Sequence, residues 1–346
     1  MAQADVESDC RVILTGAGTS DYIGQTLWPS LAAKLGWHVD VLPATQIVCN
    51  PESCLRRGER LLVISFARSG NSPESLAAVE LAERFSPECQ HLVITCNREG
   101  KLAQAARERG YRALLLTLDP ETNDKGLAMT SSFTSMYIAG LGLIYLNEID
   151  LYRTLVSKMV TFGTRILNQF PNPLFKLAQL DFDRVVFLGD GPLLGIAAES
   201  HLKLQELTNG LIATFYHDFL AFRHGPAAII HPRTVVVYLL SNHPYRRTYE
   251  FDLIREIRHR HIGLRHVLLC GREEMFLKDL ADEIYMVNEN NERPLEDAQL
   301  APLYIIFAQI LGVFCALKLG IKPDFPNPQG TINRVVQGVT IYSWQG

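Results

Sequence analysis

The feature that most constrains the fold of this chain is an internal repeat. Four short apolar runs in the first half recur, in the same order and at nearly the same spacing, in the second half. Some matches extend to single letters, since RVIL at 11–14 corresponds to RVVF at 184–187. The runs of the first half are VILTG (12–16), LLVISF (61–66), HLVITC (91–96) and ALLLTL (113–118). Those of the second half are VVFLG (185–189), TVVVYLL (234–240), HVLLC (266–270) and EIYMV (283–287). The order of these matches indicates the duplication of one unit.

Each apolar run has the character of a buried parallel strand and is followed by a helical pattern. Strands that alternate with helices predict a parallel sheet with right-handed crossovers and helices on both faces. At 346 residues the chain is long enough for two domains that each bury a core. We therefore predict an α/β protein of two tandem flavodoxin-like, doubly wound parallel-sheet domains. The expected parts are a first domain (1–149), a connecting helix (150–178) that ends at Pro171, a second domain (179–320) and a tail over the site (321–346).

Composition and charge argue against several classes of protein. A formal net charge of -4 provides no attraction for nucleic acid or for an acidic membrane surface. No uninterrupted apolar run reaches the ~18 residues of a membrane span, and the first residues, MAQADVESDC, lack the apolar core of a secretory signal. The seven cysteines show neither C-x-x-C nor paired Cys/His spacing. We therefore expect no metal site, and the scattered thiols predict a reducing, cytoplasmic location.

Two turns that follow predicted strands have the composition of an anion site. The first is GAGTS (16–20) and the second is RSGNSP (68–73), and each leads into a helix. In doubly wound sheets, ligands bind beyond the carboxyl ends of the strands, where backbone N–H groups, hydroxyls and helix N-termini face an anion. One such loop could serve only to cap its helix. Two on adjacent strand ends favour a phosphate site, and we call the two turns together the cradle.

A dinucleotide site is the main rival, because Gly16-x-Gly18 follows a strand. The third glycine of the G-x-G-x-x-G pattern would stand at position 21, which is Asp21, and Gly189-x-Gly191 has Leu194 at the same place. The P-loop pattern G-x-x-x-x-G-K-[ST] is missing from the sequence. We therefore expect no nucleotide cofactor.

The predicted helix at 192–210 carries three charges on one stripe. Glu199, Lys203 and Glu206 are spaced i, i+4 and i+7 on a helix that is otherwise apolar around most of its circumference. Charges between apolar walls indicate either a desolvated site with a tuned carboxylate base or a buried ion pair that locks the packing. Shortly afterwards, His224 stands at a Gly-Pro turn, from which an imidazole could reach a ligand, although a lone histidine is more often structural.

These motifs together resemble the sugar isomerase (SIS) domain family. The residues that carry the resemblance are GTS after the first strand, RSGNS at 68–72, the charged triad Glu199-x3-Lys203-x2-Glu206 and RHGP at 223–226. The two-domain arrangement is similar to the isomerase half of glucosamine-6-phosphate synthase. LTGAGTS, SFARSGNSPES, FRHGP and NRVVQGVTIY resemble more closely the tagatose-6-phosphate ketose/aldose isomerase family of AgaS type, galactosamine-6-phosphate deaminase/isomerases. The similarity covers nearly the whole chain from residue 11.

The resemblance implies a deaminating aldose–ketose isomerase that converts galactosamine 6-phosphate to tagatose 6-phosphate and ammonia. Glu206 would move a proton between C1 and C2, His224 would assist ring opening, and Lys203 and Glu199 would shape the field around Glu206. The residues expected to hold the phosphate are Thr19, Ser20, Arg68, Ser69 and Ser72, with Ser131 on the sugar. In synthase-type isomerases the ring-opening histidine comes from the partner subunit, so we expect a homodimer or larger homo-oligomer.

The sequence departs from the family pattern in two places. Gln337 stands where the synthase-type isomerase has a lysine that engages the sugar carbonyl, which favours loss of an amine over a Schiff base. Only ten residues precede the first strand, where the family has a longer helical lead. A glutaminase domain is missing from the sequence, which argues against a glutamine-dependent synthase. The alternatives are a deglycase or isomerase of another amino- or keto-sugar phosphate, and a non-catalytic sugar-phosphate sensor.

Overall fold

The computed structural model describes residues 10–272, 274–287, 294–336 and 338–346. The chain divides into two compact units. The first unit contains the residues up to Ile149 together with Gln329–Gly346, and the second contains Asp150–Pro328. The last segment of the chain therefore belongs with the first unit, although it follows the second unit in sequence.

The first unit is built on a five-stranded parallel sheet in the order β2-β1-β3-β4-β5. Its strands are β1 (Arg11–Thr15), β2 (His38–Val41), β3 (Leu61–Ala67), β4 (Gln90–Thr95) and β5 (Ala113–Thr117). Its helices are α1 (Thr19–Leu35), α2 (Ala44–Cys49), α3 (Pro51–Cys54), α4 (Pro73–Phe85), α5 (Lys101–Glu108) and α6 (Ser131–Leu141), with 3₁₀ turns at Gly110–Arg112, Pro120–Thr122 and Gly142–Tyr145.

The second unit repeats this plan with the parallel order β10-β9-β8-β6-β7. Its strands are β6 (Arg184–Gly189), β7 (Ala213–His217), β8 (Thr234–Leu239), β9 (Arg265–Cys270) and β10 (Glu283–Met286). Its helices are α7 (Ile149–Gln169), α8 (Pro171–Gln179), α9 (Pro192–Leu207), α10 (Phe219–Phe222), α11 (Pro244–His259) and α12 (Asp297–Lys318), with 3₁₀ turns at Pro226–Ile229 and Met275–Asp279.

Both sheets have the flavodoxin-like strand order 2-1-3-4-5 when their strands are counted within each unit. The duplication extends to backbone torsions, because Gly18 before α1 has φ 57° and ψ -128°, and Gly191 before α9 has φ 55° and ψ -128°. Left-handed torsions of this kind favour glycine, which accounts for the second glycine of each G-x-G motif. The predicted fold class is confirmed.

Two strands are missing from the sequence-based prediction. β2 has the sequence HVDV and β7 has ATFYH, and both lie at an edge of their sheet, where the burial pattern is broken by half-buried or exposed residues. An edge strand has one neighbour and needs no continuous apolar run, so the signal for a buried strand is absent.

The predicted connecting helix is two helices in the structure. The first helix, α7, ends at Gln169, two residues before the proline at which we expected the helix to end, and Pro171 is the first residue of α8. Proline suits a first helical position, where its missing N–H has no partner to lose.

Helix α12 is the apolar centre of the second unit. It is long and apolar enough to cross a membrane, with a mean hydropathy of 2.2, but 67% of that window is buried within the protein. It packs against α8 and α9. The approach to α9 is close: a Cβ added at Gly312 would lie 2.6 Å from Leu207 Cδ1. Glycine at position 312 therefore lets α12 cover the helix that carries the charged triad.

A buried acid in the first turn of α1 makes the stability depend on pH. Asp21 is 5% exposed, and one carboxylate oxygen accepts a 2.6 Å hydrogen bond from Gln25 Nε2 while the other is buried without one. Burial raises the pKa of Asp21 to about 6, although the bond from Gln25 opposes the shift. Because the folded state holds this proton more tightly than the unfolded chain, stability falls as pH rises from about 4 to about 6.

We predict that Asp21→Asn stabilises the protein at pH 8 by about 1–3 kcal/mol, since one pKa unit corresponds to about 1.4 kcal/mol. The amide keeps an acceptor for Gln25 and has no charge to desolvate. Urea unfolding at pH 8 and at pH 4 measures the difference, which should disappear at the lower pH. Asp150→Asn, whose side chain is 89% exposed, is the control and should change neither midpoint. Equal stability of Asp21→Asn and the parent protein at pH 8 would contradict the account.

Candidate functional site

The structure brings the two turns of the cradle to one edge of the first sheet. Strands β1 and β3 are neighbours, and their ends are in register because Thr15 pairs with Ser65. The residues that follow them line a cavity of about 110 Å³. Of the residues predicted to hold phosphate, the cavity is lined by Ser20, Arg68, Ser69 and Ser72. Thr19 is 4% exposed and is not among the lining residues.

The backbone of the cradle is shaped by glycines. A Cβ at Gly16 would lie 2.5 Å from the carbonyl carbon of Ser20, so the turn closes only with glycine there. Gly70 has φ 62°. Gly18, just before α1, has no side chain that could cap the helix, and the side chain of Ser72, just before α4, makes no capping hydrogen bond. The alternative role of these loops as simple side-chain caps therefore finds no support in the geometry.

Arg68 lies in the cavity wall, but its guanidinium is held by the protein. Its Nη1 donates to the carbonyl of Leu127 at 2.8 Å, and its Nη2 donates to the carbonyl of Arg334. The side chain is 7% exposed by residue. The structure therefore gives Arg68 two carbonyl partners that sequence reasoning did not foresee.

Ser131 lies outside the cavity lining and is exposed at the first position of α6, where its N–H donates to Asp124 Oδ1 at 2.8 Å. Asp124 is a residue that sequence reasoning missed. Its carboxylate also accepts hydrogen bonds from Thr130 and Ser132. Burial alone would raise the pKa of Asp124, but the bonds from Ser132 and Thr130 outweigh it and lower that pKa. The sequence feature that could have indicated this role is an acidic residue six positions before the TSS at 130–132, where α6 begins.

The charged triad forms a continuous ion-pair series on α9. Lys203 Nζ lies 2.6 Å from Glu206 Oε2 and 3.3 Å from Glu199 Oε1. The side chains of Lys203 and Glu199 are fully buried, whereas that of Glu206 is 20% exposed. Burial disfavours the ammonium, but the two carboxylates outweigh it and raise the pKa of Lys203. Lys203 thus pairs with both carboxylates, and Glu206 is the one carboxylate of the triad whose side chain is partly exposed.

His224 lies in the loop between α10 and the 3₁₀ turn at Pro226–Ile229 and is exposed. Its backbone N–H donates to Ala221 at 2.9 Å, and the next residue, Gly225, has φ 121°, which only glycine adopts readily. The loop is also fastened by an ion pair of 2.8 Å between Arg223 and Glu256. Within the described part of the chain, no hydrogen bond joins His224 to the charged triad.

In the second unit, side chains of the protein itself occupy the strand end that corresponds to the cradle. After β8, the N–H of Ser241 donates to Glu250 at 3.0 Å and its hydroxyl donates to Asp297 at 2.6 Å. The N–H of Asn242 donates to Asp297 at 2.7 Å, and Arg246 forms an ion pair of 2.7 Å with the same carboxylate. Glu250 and Asp297 are 0% and 5% exposed. Carboxylates of the chain itself therefore occupy the donors that an anion would need.

Two remaining expectations concern Gln337 and the absence of a metal site. Gln337 lies outside the described residues. Within the described ranges, no cluster of three or more His, Cys, Asp or Glu side chains is placed to hold a metal ion.

Comparison with known proteins identifies the family to which this chain is similar. The SIS domain model matches residues 6–145, so the first unit is a SIS domain, and the second repeats its strand order. D-galactosamine-6-phosphate deaminase AgaS from Escherichia coli is 40% identical over 341 residues, which cover 98% of this chain and 87% of that protein. AgaS from Shewanella sp. strain ANA-3 is 39% identical over 339 residues, covering 96% of this chain and 81% of the other.

A solved structure agrees with these relatives. The crystal structure of tagatose-6-phosphate ketose/aldose isomerase from Escherichia coli superimposes with a TM-score of 0.86 at 37% identity and covers 98% of this chain and 88% of that chain. This chain belongs to the AgaS family of SIS-domain sugar-phosphate deaminases and isomerases. The predicted resemblance is confirmed.

We predict that each chain binds one inorganic phosphate, in the cradle of the first unit. Ser69→Ala combined with Ser72→Ala should weaken it about tenfold or more, since a hydrogen bond to a charged group contributes ~1.5–3 kcal/mol. Isothermal titration calorimetry gives both the number of sites and the affinity. Ser157→Ala, on the exposed face of α7, is the matched control. Two sites per chain, or undiminished affinity in the double variant, would contradict this assignment.

Proposed function

We propose that the protein converts galactosamine 6-phosphate and water to tagatose 6-phosphate and ammonia. The observation that carries this proposal is the charged triad of α9, in which a fully buried lysine holds a partly exposed glutamate at 2.6 Å. Such a carboxylate is positioned to move a proton, and aldose–ketose interchange requires a proton transfer between neighbouring carbons. The names of the relatives that are 39–40% identical support the amino sugar phosphate as substrate.

The first unit would hold the phosphate group. Ser20, Ser69 and Ser72 line the cavity, and backbone N–H groups at the N-termini of α1 and α4 add positive potential there. Thr19 and Ser131, which the resemblance assigns to phosphate and sugar, are proposed to contact the ligand only after local adjustment, because neither lines the cavity. Arg68 contributes its positive charge to the cavity wall.

The second unit would supply the proton transfer. In the open-chain aldehyde, Glu206 removes the proton from C2 and returns it to C1, while O1 gains a proton and the amine nitrogen loses one, so that the 2-amino aldehyde becomes the isomeric 2-imino alcohol. Addition of one water to the imine carbon and loss of ammonia then give the ketose phosphate. Lys203 and Glu199 hold Glu206 in place and set the field around it. His224, exposed on its loop, would donate the proton that opens the sugar ring.

A second candidate is the isomerisation of tagatose 6-phosphate without loss of an amine, which the name of the Escherichia coli crystal structure favours. Both reactions use the same proton transfer between C1 and C2. Release of ammonia from galactosamine 6-phosphate distinguishes them, and a panel of hexosamine 6-phosphates would reveal whether another amino sugar phosphate is preferred. A non-catalytic sensor would bind these compounds and turn over none.

Assembly and location are also proposals. Three apolar side chains that precede His224 in the sequence are exposed, namely Leu211 at 63%, Phe215 at 38% and Leu220 at 45%. Such a surface suits the core of a homodimer interface. The seven cysteines of the chain are free thiols, in agreement with a reducing cytoplasm, although the location stays a prediction.

We predict that Glu206→Gln lowers kcat by ~10²–10⁴-fold, the usual contribution of a general base, and leaves KM within a small factor. The amide keeps the shape of the side chain but cannot accept the C2 proton. Ammonia release from galactosamine 6-phosphate measures both constants. Gln205→Ala, at the exposed neighbouring position of α9, is the control and should be fully active. Near-normal turnover of Glu206→Gln would show that Glu206 is structural.

We predict that Glu206→Ala and His224→Ala complement each other in mixed dimers. Each variant alone should be nearly inactive, because each lacks one of the two groups that move protons. If His224 acts in the partner's site, every mixed dimer contains one site with both residues intact. Co-expression with two different affinity tags isolates such dimers for the ammonia assay. Inactive mixed dimers would show that His224 acts within its own subunit or not at all.

A further inference from the structure

The last segment of the chain forms part of the cradle wall. Residues 329–346, which we call the strap, contain neither helix nor strand in their described part, 329–336 and 338–346. Nevertheless Arg334, Val335 and Val336 line the cavity together with Ser69 and Ser72. A segment without regular structure keeps such a position only if side chains fasten it, so its attachments decide whether the cavity has a complete wall.

The near attachment is a clasp around Arg334. Its guanidinium donates from Nε and Nη2 to the carbonyl of Asp124 at 2.9 and 2.6 Å, and from Nη2 to Asn123 Oδ1 at 2.6 Å. Its own carbonyl accepts the hydrogen bond from Arg68 Nη2. The second carbonyl partner of Arg68, Leu127, lies in the segment that Asp124 organises. Arg68 therefore joins the cradle, the segment 123–130 and the strap.

The far attachment is Trp344, ten positions further along the strap. Its ring lies 4.8 Å from the ring of Phe85 at the end of α4, and the guanidinium carbons of Arg84 and Arg57 lie 4.8 and 5.6 Å from it. Its Nε1 donates to Glu52 at 2.8 Å, and its carbonyl accepts from Arg84 at 2.8 Å. An aromatic ring that contacts two cations and an apolar core is a strong anchor.

We propose that Arg68 is a positioning residue that fastens the strap across the cradle, and that Trp344 is a remote determinant of anion affinity through the same strap. This inference deepens the proposed function and rests on its phosphate site. Its physical basis is that two different nitrogens of the Arg68 guanidinium each donate to one carbonyl group, whereas lysine has a single nitrogen and no planar fork. The strap then supplies the wall that excludes water from the anion.

Substitutions can distinguish the effect of the Arg68 charge from the effect of its two hydrogen bonds to carbonyl groups. If Arg68 were mainly a ligand of phosphate, Arg68→Lys would keep the charge and most of the affinity. If it is a clasp, Arg68→Lys should weaken phosphate binding and release the strap although the charge is kept, and Arg68→Met should do both at least as strongly. Trypsin provides the readout for release, because the peptide bond after Arg334 is a cleavage site inside the strap.

The decisive experiment uses the full chain, inorganic phosphate and limited trypsin digestion. Trp344→Ala should raise the Kd for phosphate severalfold and accelerate cleavage after Arg334. Trp344→Phe, which keeps an aromatic ring at this position and loses the bond to Glu52, should stay closer to the parent protein than Trp344→Ala. Tyr342→Ala removes an aromatic ring from the same strap, but that residue is 83% exposed, so neither readout should change.

The outcomes separate this inference from the proposed function. If the parent protein binds no phosphate, the cradle assignment fails and this inference fails with it. If the parent protein binds phosphate and Trp344→Ala binds it equally well, the inference alone is overturned. If Trp344→Ala does not fold, Arg68→Lys decides: retained affinity with an uncleaved strap overturns the proposal, and joint loss of both supports it.

Discussion

The buried lysine of α9 is the interaction on which the second unit depends. Lys203 is fully buried between Glu199 and Glu206, and an ammonium in such a position is tolerated only because two carboxylates neutralise it. Removal of one partner of a buried pair costs ~3–5 kcal/mol in general. The helix that carries these residues is enclosed by its neighbours. Strands β6 and β7 and helix α12 pack against α9, and Gly312 lets α12 approach closely. The only member of the series that reaches solvent is Glu206, which is therefore oriented by packing and charge together.

The two units share one scaffold but differ at the ends of their strands. Both units have the same strand order and the same glycine torsions before the helix that follows their first strand, so the first turn of the cradle has a counterpart in the second unit. In the first unit, the strand ends face a cavity lined by hydroxyls. In the second, Glu250 and Asp297 accept the corresponding N–H donors. The acidic side chains account for this difference, and the turn after β8 is also shorter than the turn after β3, because α11 begins at Pro244 and β8 ends at Leu239.

The sequence was sufficient to predict those parts of the molecule that local patterns determine. Buried central strands need continuous apolar runs, and the i, i+4, i+7 spacing brings Glu199, Lys203 and Glu206 together on any helix. The edge strands β2 and β7 lack such a pattern and were missed. Long-range contacts were also missed, because nothing near Arg68 in the sequence points to its partner Arg334. The same holds for Asp297, whose partners lie about fifty residues earlier and depend on the tertiary fold.

The central claim is that Lys203 is a permanent cation whose charge fixes Glu206. Nitrogen-15 NMR of protein labelled at lysine Nζ measures this directly, with the Lys203 resonance assigned by its loss in Lys203→Arg. Because the neighbouring carboxylates raise the pKa of Lys203, the account predicts that its resonance still reports an ammonium at pH about 10.4, where an ordinary lysine is half titrated. A Lys203 side chain that loses its proton at or below that pH would contradict the account.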